Sequence, residues 1–278
     1  MWVTSDISTR SPERVEMIAN IQIGLSIGNS RYHWAWFLNT KLQSSWDTEY
    51  IHPDRLLNIL PIDLQKIIKS GLIEVTKISI YLISVVPSQT VIWQQLHQVR
   101  QLTLADIPLH NLYPTLGIDR ALTMFGAGEI YGYPVLVIDG GTALTITGVD
   151  RDRCLLGGAI MPGLRLQISS LTTGTAALPG IVLPRQLPPR WSDNTPGAIA
   201  SGILRTVTSG IRDFTQDWQQ LYPESQIVLT GGDGEILNNY LEDSIERISC
   251  DRHLLFHGLA AILTSSYFYH NSTFSRSI

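Results

Sequence analysis

Short apolar stretches recur along this chain, each closed by a turn. Ile21 to Ile27 and Tyr32 to Leu38 read as strands, and Lys77 to Val86 as a third. A helix is expected over Thr90 to Leu102, where Val91, Leu96 and Val99 recur at helical spacing. The stretch Ala105 to Leu116 holds Pro108 and Pro114 and reads as a loop. A helix then starts at Asp119 and runs through Glu129, ending before Gly132 and Pro134. From Val135 the pattern restarts, with strands over Val135 to Ile138, Leu144 to Val149 and Cys154 to Ile160. Helices follow over Leu164 to Leu171 and Gly197 to Leu221, then a strand over Gln226 to Thr230 and a helix from Glu235 toward Leu241. Leu178 to Pro189 holds four prolines and reads as a loop or flap. The natural division lies at Tyr133-Pro134. It leaves a poorly ordered N-terminal extension over residues 1–20 and two domains over 21–133 and 134–278. The expected class is α/β with mixed sheets.

One phrase occurs twice. Ile23 to Ser30 followed by Arg31 to Phe37, and Val137 to Thr142 followed by Ala143 to Val149, each place a glycine turn closed by a hydroxyl between two strands. Such a tip has little side-chain bulk, so backbone N–H groups and the hydroxyl can approach a phosphate, while an acid can hold a cation or water. Either turn alone could be an ordinary hairpin. A third glycine turn, Gly231-Gly232-Asp233-Gly234 between strand and helix, adds N–H groups at a helix start, where anions bind. Duplicated domains facing each other across a nucleotide are therefore expected. The chain has no P-loop motif and no dinucleotide fingerprint.

With 278 residues, 44% of them hydrophobic, the chain can bury substantial cores. Its net charge of −4 and lack of a Lys/Arg run give no reason to expect nucleic acid. Cys154 and Cys250 fit no metal spacing, and a reducing cytoplasm is the expected setting. The acids Asp6, Glu13 and Glu16 argue against a signal peptide, and no apolar run is long enough to span a membrane.

Several motifs occur in a fixed order: Ser26 to Ser30, Gly117-Ile118-Asp119-Arg120, Asp139 to Ala143, Gly158 to Gly163, Asn194-Thr195, and Thr230 to Asp233. In this order they resemble the type III pantothenate kinases of the acetate and sugar kinase, Hsp70 and actin superfamily. The resemblance implies two duplicated ribonuclease-H-like (actin-like ATPase) domains around a central cleft. It also implies phosphorylation of pantothenate by ATP with Mg2+ and a monovalent cation, K+ or NH4+, in a homodimer whose substrate site is shared across the interface.

Carried over by position, the resemblance makes Asp119 the proton acceptor for the pantothenate hydroxyl; the plainer reading is a helix cap, and the two roles can coexist. Arg120 would bind a carboxylate or phosphate, or else form a surface ion pair. Tyr113, Gly117, Ile118 and Thr195 would line the pantothenate pocket, with Thr195 supplied by the partner subunit or serving as a helix cap. Ser26, Gly28, Asn29, Ser30, Gly141, Thr142, Gly231 and Gly232 would contact ATP. Asp139 would bind potassium, or simply form a turn. The family has an aspartate where this chain has Ser26. That loss of charge leaves open a normal kinase, a slower one, or a nucleotide-binding regulatory relative. An aspartate put back at 26 would either restore a magnesium contact or repel the phosphates. A sugar kinase or a polyphosphate phosphatase is the other rival class, and Gly117 to Arg120 speaks against it.

Overall fold

The computed structural model describes residues 21–71, 78–241 and 244–265. The 1–20 extension lies outside them. The chain forms two compact units, one made of the segment up to Thr103 with the chain from Ala260 onward, the other of Leu104–Leu259. The sequence division at Tyr133-Pro134 lies thirty residues further along than this one. The reason is that the helix before Pro134 packs within the second unit. A side chain at Gly126 of that helix would strike backbone atoms of Leu254 and Gly258.

The first unit is built on a sheet of β1 (Ile21–Ile27), β2 (Tyr32–Leu38), β3 (Lys41–Thr48), β4 (Ser79–Ser84) and β5 (Val99–Gln101), in the order β3-β2-β1-β4-β5. β1 to β3 form an antiparallel meander, and β4 and β5 add in parallel. The centre strand β1 is buried along its whole length, which is why it reads as a nearly continuous apolar run. Ile23, Leu25 and Ile27 stand opposite Trp36, Trp34 and Tyr32. These join one core with Leu64 of α1 (Ile62–Lys69) and Trp93 of α2 (Pro87–Gln94). The Trp93 indole meets Trp34 edge-on at 5.2 Å and donates to the Tyr32 hydroxyl at 3.0 Å, so its N–H is not buried unpaired.

The second unit repeats this plan. Its strands are β6 (Val135–Gly140), β7 (Ala143–Val149), β8 (Leu155–Pro162), β9 (Gln226–Thr230) and β10 (Ile248–Cys250), in the order β10-β9-β6-β7-β8. As before, the first strand is central, a meander lies on one side and two parallel strands on the other. Its helices are α3 (Ile118–Tyr131), α4 (Leu164–Gly174), α5 (Thr195–Leu221) and α6 (Gly234–Leu241), and α7 (Leu254–Thr264) starts in this unit and ends in the first. The core joins Ile138, Ile146 and Leu229 to Leu204, Val207 and Trp218 of α5. Trp218 lies on Gly148, where a Cβ would come within 2.2 Å of its ring. Its N–H donates to Ser225 Oγ, which in turn donates to the Pro134 carbonyl. The two sheets share one topology, so the duplication read from the glycine turns is present in the fold.

The helix expected over Thr90 to Leu102 is corrected. α2 ends at Gln94, and Val99–Gln101 form β5 against β4. Val91, part of the apparent stripe, is 59% exposed. Pairing of Val99 with Ile80 overrode a weak helical pattern. β3 went unread because Lys41–Thr48 is a half-exposed edge strand with no apolar alternation. The loop over 178–189 contains no regular element. It is tied down where Arg205 Nε donates to the Pro188 carbonyl and Tyr240 to that of Pro184.

Candidate functional site

In the second unit, α3 begins at a Gly117 cap with extended backbone and no side-chain capping bond, so Asp119 is in the first turn and is not the cap residue. The Arg120 N–H donates to Asp119 Oδ1 at 2.7 Å, which fixes the carboxylate of a half-buried residue at the positive end of the helix. Ile118 is buried beneath it. The Arg120 side chain turns back across the sheet, with Nε donating to Thr147 Oγ1 at 2.6 Å and Nη1 to the Tyr113 hydroxyl at 3.0 Å. It lies over Gly158 of β8, where a Cβ would come within 2.6 Å of Nη2. A planar cation held in this way is suited to an anionic group on a small substrate. Tyr113, Gly117, Ile118, Asp119 and Arg120 are thus brought together.

A second cluster forms where β6 runs into its turn. Asp139 is half-buried, and its Oδ1 lies 3.6 Å from the Cβ position of Gly141 and 2.3 Å from that of Gly231. Gly231 has φ +82°, so both conformation and space require glycine there. The Gly140 carbonyl faces the same point. The turn is closed by the Gly141 N–H on the Ala143 carbonyl and by the Gly163 N–H on the Thr142 carbonyl. Thr142 is exposed, and a side chain at Gly232 would meet nothing within 4 Å. Asp233 is buried, with Arg165 Nε and Nη2 both donating to its Oδ1 at 3.1 Å. Burial, and then the charge of Asp233, push the Tyr240 hydroxyl up to about 12, so it stays a donor.

Thr195 is the first residue of α5, and the cap is Asn194, whose Oδ1 accepts from the Gly197 N–H at 2.9 Å. The capping explanation therefore moves to Asn194. Thr195 lines an open groove with Leu178, Ser192, Asp193, Asn194, Ala198 and Ile199. In the first unit, Ser26 is 3% exposed at the end of β1, Gly28 is partly exposed, and Asn29 and Ser30 are exposed at the turn. The Gly28 N–H donates to the Arg31 carbonyl, and its own carbonyl accepts from Tyr50.

Sequence reasoning assigned no role to Thr147, Arg165 or Asp233. Thr147 is a fully buried hydroxyl on a strand that also carries Thr145, so nothing in the sequence set it apart. Among the described residues no three His, Cys, Asp or Glu side chains converge as a metal site.

The sequence profile of the type III pantothenate kinases matches residues 23–217. A type III pantothenate kinase of Nostoc sp. is 42% identical over 275 residues, covering 92% of this chain and 98% of the relative. One from Synechocystis sp. is 44% identical over 244 residues, covering 86% and 89%. Among solved structures, a candidate transcriptional activator of the conserved Baf family from Campylobacter jejuni superposes with a TM-score of 0.60 at 20% identity. That match covers 90% of this chain and 99% of that one, and it is a likeness of fold alone.

Proposed function

The chain belongs to the type III pantothenate kinase family, and we propose that Asp119 and Arg120 are the residues on which its reaction turns. The reaction is ATP-dependent phosphorylation of pantothenate to 4'-phosphopantothenate in coenzyme A biosynthesis, with ATP accompanied by a divalent metal. The observation that carries the residue assignment is the Asp119–Arg120 pair, with its carboxylate fixed by a backbone N–H and its guanidinium pinned by Thr147 and Tyr113.

Asp119 takes the proton of the pantothenate primary hydroxyl as that oxygen bonds to the γ-phosphorus. The bond from phosphorus to the bridging oxygen breaks, and ADP leaves with the electron pair. Arg120 holds an anionic group of the substrate, and Tyr113, Gly117 and Ile118 shape the pocket around it. Gly28, Asn29 and Ser30, with Ser26 behind them, belong to a phosphate turn, as do Gly141 and Thr142. Gly231 and Gly232 leave room for the nucleotide. Mg2+ would spread the charge of the transferring phosphoryl group.

Asp139 Oδ1 and the Gly140 carbonyl, both facing Gly231, form an oxygen pair suited to a potassium or ammonium ion. Thr195 reaches pantothenate in the partner subunit of a homodimer. The enzyme works in the cytoplasm, where ATP is at hand. The test is pantothenate-dependent ADP release by the purified chain, repeated with Asp119→Asn. A positioned base commonly contributes on the order of a hundredfold or more, so the variant should lose nearly all turnover while keeping its circular dichroism spectrum and melting temperature. An Asn variant at the wild-type rate would remove Asp119 from the role.

A further inference from the structure

Beside the first glycine turn, strand register places Ser26 of β1 directly opposite His33 of β2, and His33 directly opposite Asp47 of β3. Residues paired across antiparallel strands point to the same face, so these three side chains form a row across the sheet. The row ends in a bond: His33 Nδ1 lies 2.8 Å from Asp47 Oδ1. A carboxylate only accepts, so Nδ1 carries the proton and the ring is held with its other nitrogen outward. That nitrogen, Nε2, lies 3.7 Å from the Cβ position of Gly28 and makes no hydrogen bond to another described residue. Arg31 Nη1, from the tip of the turn, lies 3.6 Å from the other Asp47 oxygen. His33 and Asp47 are both well exposed, so nothing in core packing requires them here.

We propose that His33 is a phosphate-binding residue of the first turn, with Asp47 as its positioning residue. The ligand is the phosphate chain of the nucleoside triphosphate, met by an imidazolium Nε2–H beside Gly28. The Asp47 carboxylate supports that charge from behind, and a neutral Ser26 leaves no acid across the strand to capture the ring. No bond is made or broken by the pair, which binds and orients. The inference rests on the reading that residues 28–30 receive phosphate.

The experiment compares the full-length enzyme with His33→Ala, His33→Lys, Asp47→Asn, the Ala/Asn double variant and Gly28→Val. The measurements are Michaelis constants for ATP and pantothenate, and calorimetric binding of a non-hydrolysable ATP analogue against adenosine. A charge-assisted contact predicts an ATP constant raised on the order of tenfold in His33→Ala, with little change for pantothenate or adenosine. Lysine at 33 should restore most of the loss. Asp47→Asn should raise the ATP constant a few-fold alone and hardly at all once His33 is gone. Gly28→Val serves as the control, because a Cβ there meets only ordinary contacts at 3.6 to 3.8 Å in the free protein. If Gly28→Val weakens ATP and His33→Ala does not, the inference falls and the phosphate turn stands. Should neither weaken ATP, both fall. A His33→Ala effect shared equally by ATP, adenosine and pantothenate would indicate a structural role and would also overturn the inference.

Discussion

At Ser26 the strand register changes what an aspartate would do. An aspartate there would stand across from His33, at a position only 3% exposed. A carboxylate out of water needs a partner, and the residue paired with position 26 is His33, whose ring is already held by Asp47. Ser26→Asp is therefore expected to draw His33 away from the turn and place negative charge near the phosphates. The ATP Michaelis constant should rise several-fold with pantothenate unaffected, and adding His33→Ala should cancel most of the difference. Lower ATP constants across a magnesium titration would show instead that the acid meets the metal. The same scale separates Asp119 from Thr195. Both looked like helix caps in the sequence; Gly117 and Asn194 hold those positions, and Asp119 accepts the Arg120 N–H from within the first turn.

At the level of elements, glycine decides where the second sheet can be approached. Gly148 gives its space to the Trp218 ring, and Gly158 gives its own to the Arg120 guanidinium. Gly148→Ala should push Trp218 out of a packed core at a cost of about 1–3 kcal/mol, read as a lower melting temperature with unchanged turnover per folded molecule. A large loss of pantothenate affinity at full stability would contradict that. The β6–β7 turn makes a different prediction. With Asp139 Oδ1 as a cation ligand, exchanging sodium for potassium or ammonium should raise the rate, and Asp139→Ala should remove that response. Equal rates in all three salts would leave the turn with phosphate alone.

For the whole molecule, two units of like topology each carry one of the proposed clusters. The Arg120 cluster belongs entirely to the second unit and the His33 row entirely to the first. Thr195 lines a groove with Ser192, Asp193 and Ile199. If the homodimer shares its site through this residue, mixing inactive Thr195→Ala chains with inactive Asp119→Asn chains should recover part of the wild-type rate, because mixed dimers contain one intact site. No recovery after subunit exchange, verified by sedimentation, would place Thr195 in the service of its own subunit.

The sequence alone determined the duplicated strand-turn-strand units, the glycine turns, the Gly117 to Arg120 run and the family they resemble. These are local patterns, fixed by alternation, glycine and short spacing. Partners far apart in the chain were decided only by tertiary structure. Thr147 lies under Arg120 because β7 carries it beneath the start of α3, and Asp47 lies behind His33 because a half-exposed edge strand pairs in one register. Likewise Val99 became a strand because β4 offered it a partner. A hydroxyl or carboxylate in a weak pattern looks like any solvated residue until tertiary structure sets a nitrogen partner within 3 Å of it.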